Sequence, residues 1–277
     1  MPIDTGTARL ERDPDHPDRV TLHVNGVPSS ALDLADPGFL DFEYMQQMAA
    51  VLAGMPAGPL RVLHLGAAGC ALARHVEHER PDSRQLGVDV DARLLELVRE
   101  WFALPRSPRL RLRADDAGHA LAALPPASFD VVVRDVFAGD RTPDHLADAA
   151  FAAAAHRALR PGGVLLANCA DRPPLHLARR EVATLAGAFG ADAVPGRRLG
   201  VIAEHAVLKG RRYGNVVLVA VRAVPGPEDA ADGTERETGD GPPVLDLDDA
   251  ALGRRLRSLP VPARMLAGAE LARFAGG

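Results

Sequence analysis

The sequence predicts a doubly wound α/β protein with an antiparallel last strand, preceded by a small β-rich piece, and three observations carry that prediction. From Leu60 onward, short apolar runs alternate with helical segments. Two late apolar runs have no full helix between them, which calls for an antiparallel pair. Ahead of both, an alternating run ends in Asn25-Gly26, a dipeptide that supplies the positive φ angles of a tight hairpin.

In chain order, Arg19 to Val27 reads RVTLHVNGV, with Val20, Leu22 and Val24 on one face of a strand. In Phe39 to Leu52, residues Leu40, Tyr44, Met48 and Leu52 recur every fourth position, and Gly54 ends the helix they predict. The main domain opens with RVLHL (61–65), a helix near 70–80, QLGVDV (85–90) and a helix at 92–103, which is a β-α-β unit. It continues through RLRLR (109–113), VVVRD (131–135), a helix around 144–159, GGVLLAN (162–168) and a helix around 175–188. Strands each followed by a helix build a parallel sheet covered on both faces. LGVIA (199–203) and NVVLVAV (215–221) are expected to pair as a hairpin at one edge. That antiparallel end separates the class I methyltransferase sheet, the S-adenosylmethionine-binding kind, from an ordinary dinucleotide fold. Residues 224–243 are rich in Pro, Gly, Asp and Glu and nearly free of large apolar side chains, so they read as a flexible acidic linker. The division is thus 1–58 for the β-hairpin region and lead-in helix, 59–223 for the nucleoside-binding domain, the linker, and a partly helical tail over 244–277.

Composition narrows the function classes. With 277 residues and 47% apolar content the chain can bury a large core. Its net charge is −5 and Lys209 is its one lysine, so nucleic acid is excluded as an expected partner. Cys70 and Cys169 form no CxxC or Cys/His cluster, and His75 and His78 lack a third ligand, so no metal is expected. No apolar leader and no run of spanning length is present, which predicts a cytoplasmic protein without a membrane segment.

The first strand ends in His64-Leu65-Gly66-Ala67-Ala68-Gly69-Cys70, where small residues let backbone amides approach a ligand. Gly66, Ala67 and Gly69 are the candidate cradle; a tight connection with no ligand is the alternative. Asp89 ends the next strand about 20 residues on, where a carboxylate can accept both ribose hydroxyls. Asp91 either shares that face or caps the following helix. Asp116 ends the third strand and can accept an adenine amine, cap a helix, or do both. The turn lacks a regular GxGxxG, so a mononucleoside is favoured over a dinucleotide. Asp135 closes the fourth strand at the carboxyl edge of the sheet and is the catalytic candidate; pairing with Arg134 or Arg141 is its alternative. The loop from Val136 to Pro143 follows, with Phe137 placed to pack on an adenine or a substrate.

From Arg19 to Val221 the chain resembles the spermidine synthase, or polyamine aminopropyltransferase, family. The resemblance implies a nucleoside cradle at Gly66 to Cys70, a ribose ligand at Asp89, an adenine site at Asp116-Ala117 and a catalytic Asp135. It further implies substrate contacts from Tyr44 and Gln46 on the first helix and from Tyr213 before the last strand, and a homodimer. Several positions depart from the family pattern. Gly69 stands where the family turn GGGDG carries an Asp, Ser29 where its hairpin supplies a Gln, Met45-Gln46 where a His-Glu or Gln-Glu pair follows the Tyr, and Ala138 where a second catalytic-loop Asp stands. A substrate with several ammonium groups needs several carboxylates, so these departures count against putrescine itself. The expected activity is transfer of an aminopropyl or other alkyl group to a small amine acceptor. The co-substrate is S-adenosylmethionine or decarboxylated S-adenosylmethionine. Methyl transfer is the runner-up, and a non-catalytic nucleoside-binding scaffold is the third reading.

Overall fold

The computed structural model describes residues 1–139, 141–190, 192–195, 197–225 and 245–276, so 226–243 of the expected linker lie outside the described residues. Four antiparallel strands open the chain: β1 (Pro2–Ile3), β2 (Gly6–Arg12), β3 (Arg19–Val24) and β4 (Val27–Asp33). The turn between β3 and β4 is made by Asn25 and Gly26 at φ 52° and 80°, the conformation that dipeptide predicts. The sequence reading missed β1 and β2, because β2 turns only Ala8 and Leu10 away from solvent and its charged residues mask the alternation. Helix α1 (Glu43–Leu52) begins four residues after the periodic pattern does, with extended Phe42 as its cap.

Among the described residues the main sheet has eight strands in the order β12-β10-β11-β9-β8-β5-β6-β7. Its parallel part comprises β5 (Arg61–Leu65), β6 (Arg84–Asp89), β7 (Leu110–Ala114), β8 (Phe129–Arg134) and β9 (Leu159–Asp171). Between them run α2 (Ala71–Glu79), α3 (Ala92–Trp101), α4 (Ala117–Ala122) and α5 (Ala149–Ala158), the last preceded by a single 3₁₀ turn at Asp144–Leu146. After β9 come α6 (His176–Phe189), β10 (Leu199–Glu204), the one-turn α7 (His205–Leu208) and β11 (Gly214–Val221). Strands β10 and β11 do form an antiparallel pair, and β11 inserts antiparallel beside β9. The pair is not the edge of the sheet, however. The tail contributes α8 (Ala250–Arg257), β12 (Ala263–Ala267) and α9 (Gly268–Gly276), and β12 adds antiparallel to β10 outside it.

Alternating side chains of each strand enter two cores, which is why the strands read as continuous apolar runs. Val62, Val131, Val133, Val164, Leu166, Val217 and Val219 pack with α1, α2, α3, α8 and the N-terminal sheet. Leu63, Val132, Leu165, Leu218 and Ala220 pack with α4, α5, α6 and α9. Each fully buried Val or Leu contributes about 1.5–3 kcal/mol relative to exposure, so the two layers fix the rim on which the site is built.

Candidate functional site

The register of the parallel strands sets the site. Leu65 pairs with Val88 of β6 and with Arg134 of β8, so the next residues, Gly66, Asp89 and Asp135, stand side by side at the carboxyl edge of three adjacent strands. Two strand spacings separate the Asp89 and Asp135 backbones, roughly 10 Å. Asp135 N donates to Leu65 O at 2.8 Å, and Gly66 N donates to Val88 O at 2.9 Å. Gly66 has φ +84°, and a β-carbon on it would lie 2.1 Å from the Asp135 carbonyl oxygen. Only glycine permits this close approach.

On one side of Gly66, Asp89 accepts from Ala68 N and from Asp91 N, both at 3.1 Å, one on each oxygen. Burial pushes its carboxyl above the ordinary range, and these amide bonds oppose that rise. Asp91 is the cap of α3: its side chain accepts from Leu94 N at 2.7 Å, and it also takes two bonds from Thr5. Ala67 is buried, and its N–H donates to Val88 O at 3.1 Å. Gly69 N donates to Ser30 Oγ at 3.0 Å. Asp116 caps α4 through His119 N at 2.8 Å and meets His145 Nε2 at 3.1 Å, while Ala117 is the buried first residue of that helix. The cap reading of Asp116 holds through Oδ1, and Oδ2 is engaged by His145 on the exposed side.

On the other side, Tyr44 Oη donates to Asp135 Oδ2 at 2.7 Å, and Asn168 Nδ2 donates to Asp135 Oδ1 at 3.0 Å. Burial raises the Asp135 carboxyl, while Tyr44, Asn168 and the Arg134 charge pull it back down. Burial and the Asp135 and Glu43 charges push the Tyr44 phenol far above its ordinary value, so Tyr44 stays the donor. Arg134 is not the partner of Asp135. It turns to the opposite face, where it is 1% exposed and bonds Glu181 at 2.7 Å, Leu146 O and Asn168 O. Asn215 Nδ2 holds Glu43 Oε1 at 2.8 Å beside the cluster.

Gln46 is not drawn into this cluster: its Nε2 donates to Leu40 O at 2.7 Å, in the segment that precedes its helix. Phe137 and Tyr213 are exposed, the first on the loop two residues past Asp135 and the second just before β11. Asn168, Ser30, Thr5 and the Glu43–Asn215 pair were missed from sequence. Asn168 did leave a signal, being the one amide in the buried run VLLANCA (164–170) on the strand beside Asp135. Among the described residues no group of three or more His, Cys, Asp or Glu is placed to hold a metal ion. No described helix is long and apolar enough to cross a membrane.

The sheet order, the glycine turn and the acidic strand ends define a class I methyltransferase-like fold, and the family description "Methyltransferase domain" matches residues 62–163. A solved structure of a probable spermidine synthase from Corynebacterium glutamicum is similar over 100% of this chain and 93% of its own, at 34% identity and TM-score 0.84. The chain belongs to the spermidine synthase family as a divergent member. The polyamine aminopropyltransferase of Chromobacterium violaceum is 28% identical over 149 residues, 53% of this chain and 57% of that protein. This chain thus spans little more than half the length of the curated relatives it matches. Human methyltransferase-like protein 13, solved with SAH, shares the fold at TM-score 0.52 and 24% identity, over 68% of this chain and 85% of its own.

Proposed function

We propose that this protein transfers an alkyl group from a sulfonium nucleoside of the S-adenosylmethionine type to a small amine. The observation that carries the reading is the row of Asp89, Gly66 and Asp135 on adjacent strands, with Asp135 held on both oxygens by Tyr44 and Asn168. Gly66 and the turn after it would admit a nucleoside against bare backbone, and Asp89 keeps unused lone pairs for the ribose hydroxyls.

An amine with a pKa near that of lysine, about 10.4, arrives as the ammonium and has no lone pair to attack with. Asp135 takes one N–H proton, and the freed pair attacks the carbon bonded to sulfur. The C–S pair remains on sulfur, so a neutral thioether leaves, and Asp135 later returns its proton to solvent. Positive charge on sulfur disappears, so alignment and exclusion of water supply most of the acceleration. The family's aminopropyl group is the first choice for what is moved.

A specific observation keeps methyl transfer as the second reading. A β-carbon at Gly69 would lie 2.6 Å from Ser30 Cβ, so no acidic side chain fits where the family pattern has one to hold an aminopropyl amine. Ordinary S-adenosylmethionine, with its carboxylate, meets no acidic group at that position.

The test is turnover with decarboxylated and ordinary S-adenosylmethionine, in the wild type and in Asp135→Asn. Loss of a general base costs roughly 10²–10⁴-fold, with nucleoside affinity retained. Indistinguishable behaviour of the two proteins would leave only a binding scaffold.

A further inference from the structure

The N-terminal sheet touches the donor side at two points that are far apart in sequence. Thr5, in the turn between β1 and β2, bonds the same Asp91 oxygen twice, from its N–H at 2.7 Å and its hydroxyl at 2.8 Å. Asp4 next to it accepts from Arg93 N at 3.0 Å. The other Asp91 oxygen accepts from Leu94 N, and the Asp91 N–H in turn donates to Asp89. Asp91 is 1% exposed, so its four bonds are made out of water and fix the peptide between residues 90 and 91. At the second point Ser30, also 1% exposed, accepts from Gly69 N and fills the space over that residue. Gly69 directly follows Ala68, whose N–H is the other donor to Asp89.

From this arrangement we infer that the N-terminal sheet positions the nucleoside site: Thr5 acts through Asp91 on the Asp89 carboxylate, and Ser30 acts through Gly69 on the cradle turn. The inference rests on the nucleoside reading proposed above. Both residues are positioning residues, since neither touches the reacting atoms. Asp89 has its two oxygens tied to backbone N–H groups at 68 and 91; Thr5, in the turn between β1 and β2, anchors Asp91, and Ser30, on β4, anchors the peptide that follows Ala68. A carboxylate that must meet two ribose hydroxyls together is sensitive to a small rotation, so loosening either anchor weakens nucleoside binding ahead of any effect on the amine.

The experiment is titration calorimetry of the full chain with methylthioadenosine and with S-adenosylmethionine, on wild type, Thr5→Val, Thr5→Ser and Ser30→Ala. Thr5→Val keeps the shape and removes the hydroxyl, so the nucleoside Kd should rise about tenfold, while Thr5→Ser stays near wild type. Ser30→Ala should raise it in the same sense and serves if Thr5→Val does not fold. The KM for the amine should stay within about twofold in all three. A lowered Tm with unchanged nucleoside Kd in both Thr5→Val and Ser30→Ala would make these contacts merely structural and overturn the inference. Failure of the wild type to bind either nucleoside would instead take down the nucleoside reading, and this inference with it.

Discussion

The two halves of the site are built differently. The donor half is local in its direct contacts: Gly66, Ala68 and Asp89 belong to one β-α-β unit, and Asp89 is held by backbone N–H groups, with Thr5 and Ser30 bracing that unit from outside. The other half is assembled from afar. Tyr44 and Asp135 are 91 residues apart, Asn168 and Asp135 are 33 apart, and Glu43 and Asn215 are 172 apart. Its carboxylates are held by side chains. Backbone donors set by strand register tolerate sequence change, whereas side-chain donors can be lost one at a time. On the proposed function, the difference suits a half that recognises one invariant ligand type and a half free to change its acceptor.

Gly66 is where the halves touch, so Gly66→Ala should break both together. The added methyl meets the Asp135 carbonyl at 2.1 Å, on a backbone at φ +84° that alanine disfavours. Strain and displacement together should cost more than about 3 kcal/mol, with nucleoside binding and turnover both lost. Urea denaturation and calorimetry on this variant check it; stability within about 1 kcal/mol of wild type would mean the halves are not joined at that contact.

Acid should separate the halves. His64, in the middle of β5, is buried against Gln85 Oε1 at 2.8 Å, and burial pushes its pKa down to about 4. The unfolded chain protonates this residue below about 6.5 and the folded chain does not, so the native state is fully favoured above that value. As pH falls from 6.5 to about 4 this residue alone removes about 3 kcal/mol of stability. His64 bonds β6, the strand that ends in Asp89, so the donor half sits on the acid-sensitive ladder. Subtracting the stability–pH curve of His64→Gln from that of wild type should leave this limb, and a flat difference would remove the assignment.

The same division decides what was legible in the sequence. The alternating apolar runs gave the parallel strands, and a glycine turn followed at the right distance by Asp89 gave the donor half, because both signals lie within one unit of chain. Strand β12 was invisible: five residues, ARMLA, with Arg264 among them and only Ala263 fully buried. Asp135 was readable from its position at a strand end, but its partners were not. Tyr44 came from the family resemblance, and Asn168 and Asn215 acquire meaning only when β9 is placed beside β8 and β11 beside β9. Gln46, chosen by the same resemblance, went to the backbone carbonyl of Leu40 in the segment before its helix.

Asn168→Leu sharpens the comparison most finely, because it removes one side-chain donor and leaves every backbone contact in place. Asn168 is 1% exposed, its Oδ1 is buried without a hydrogen-bond partner among the described residues, and its carbonyl oxygen still receives Arg134 in the variant. Removing an amide whose second end is already unpaired costs the fold little. For Asp135 the loss is larger: burial remains, one of the bonds opposing it goes, and the carboxyl pKa rises. Since the ionised form must take the proton, the acid limb of the kcat profile should move to higher pH, with turnover at neutral pH down about tenfold. Nucleoside affinity should be unchanged, because the donor half has no bond to this side chain. An unmoved acid limb would mean that Tyr44 alone sets the state of Asp135; a weakened nucleoside would mean that the two halves are coupled through β8 and β9 rather than joined only at Gly66.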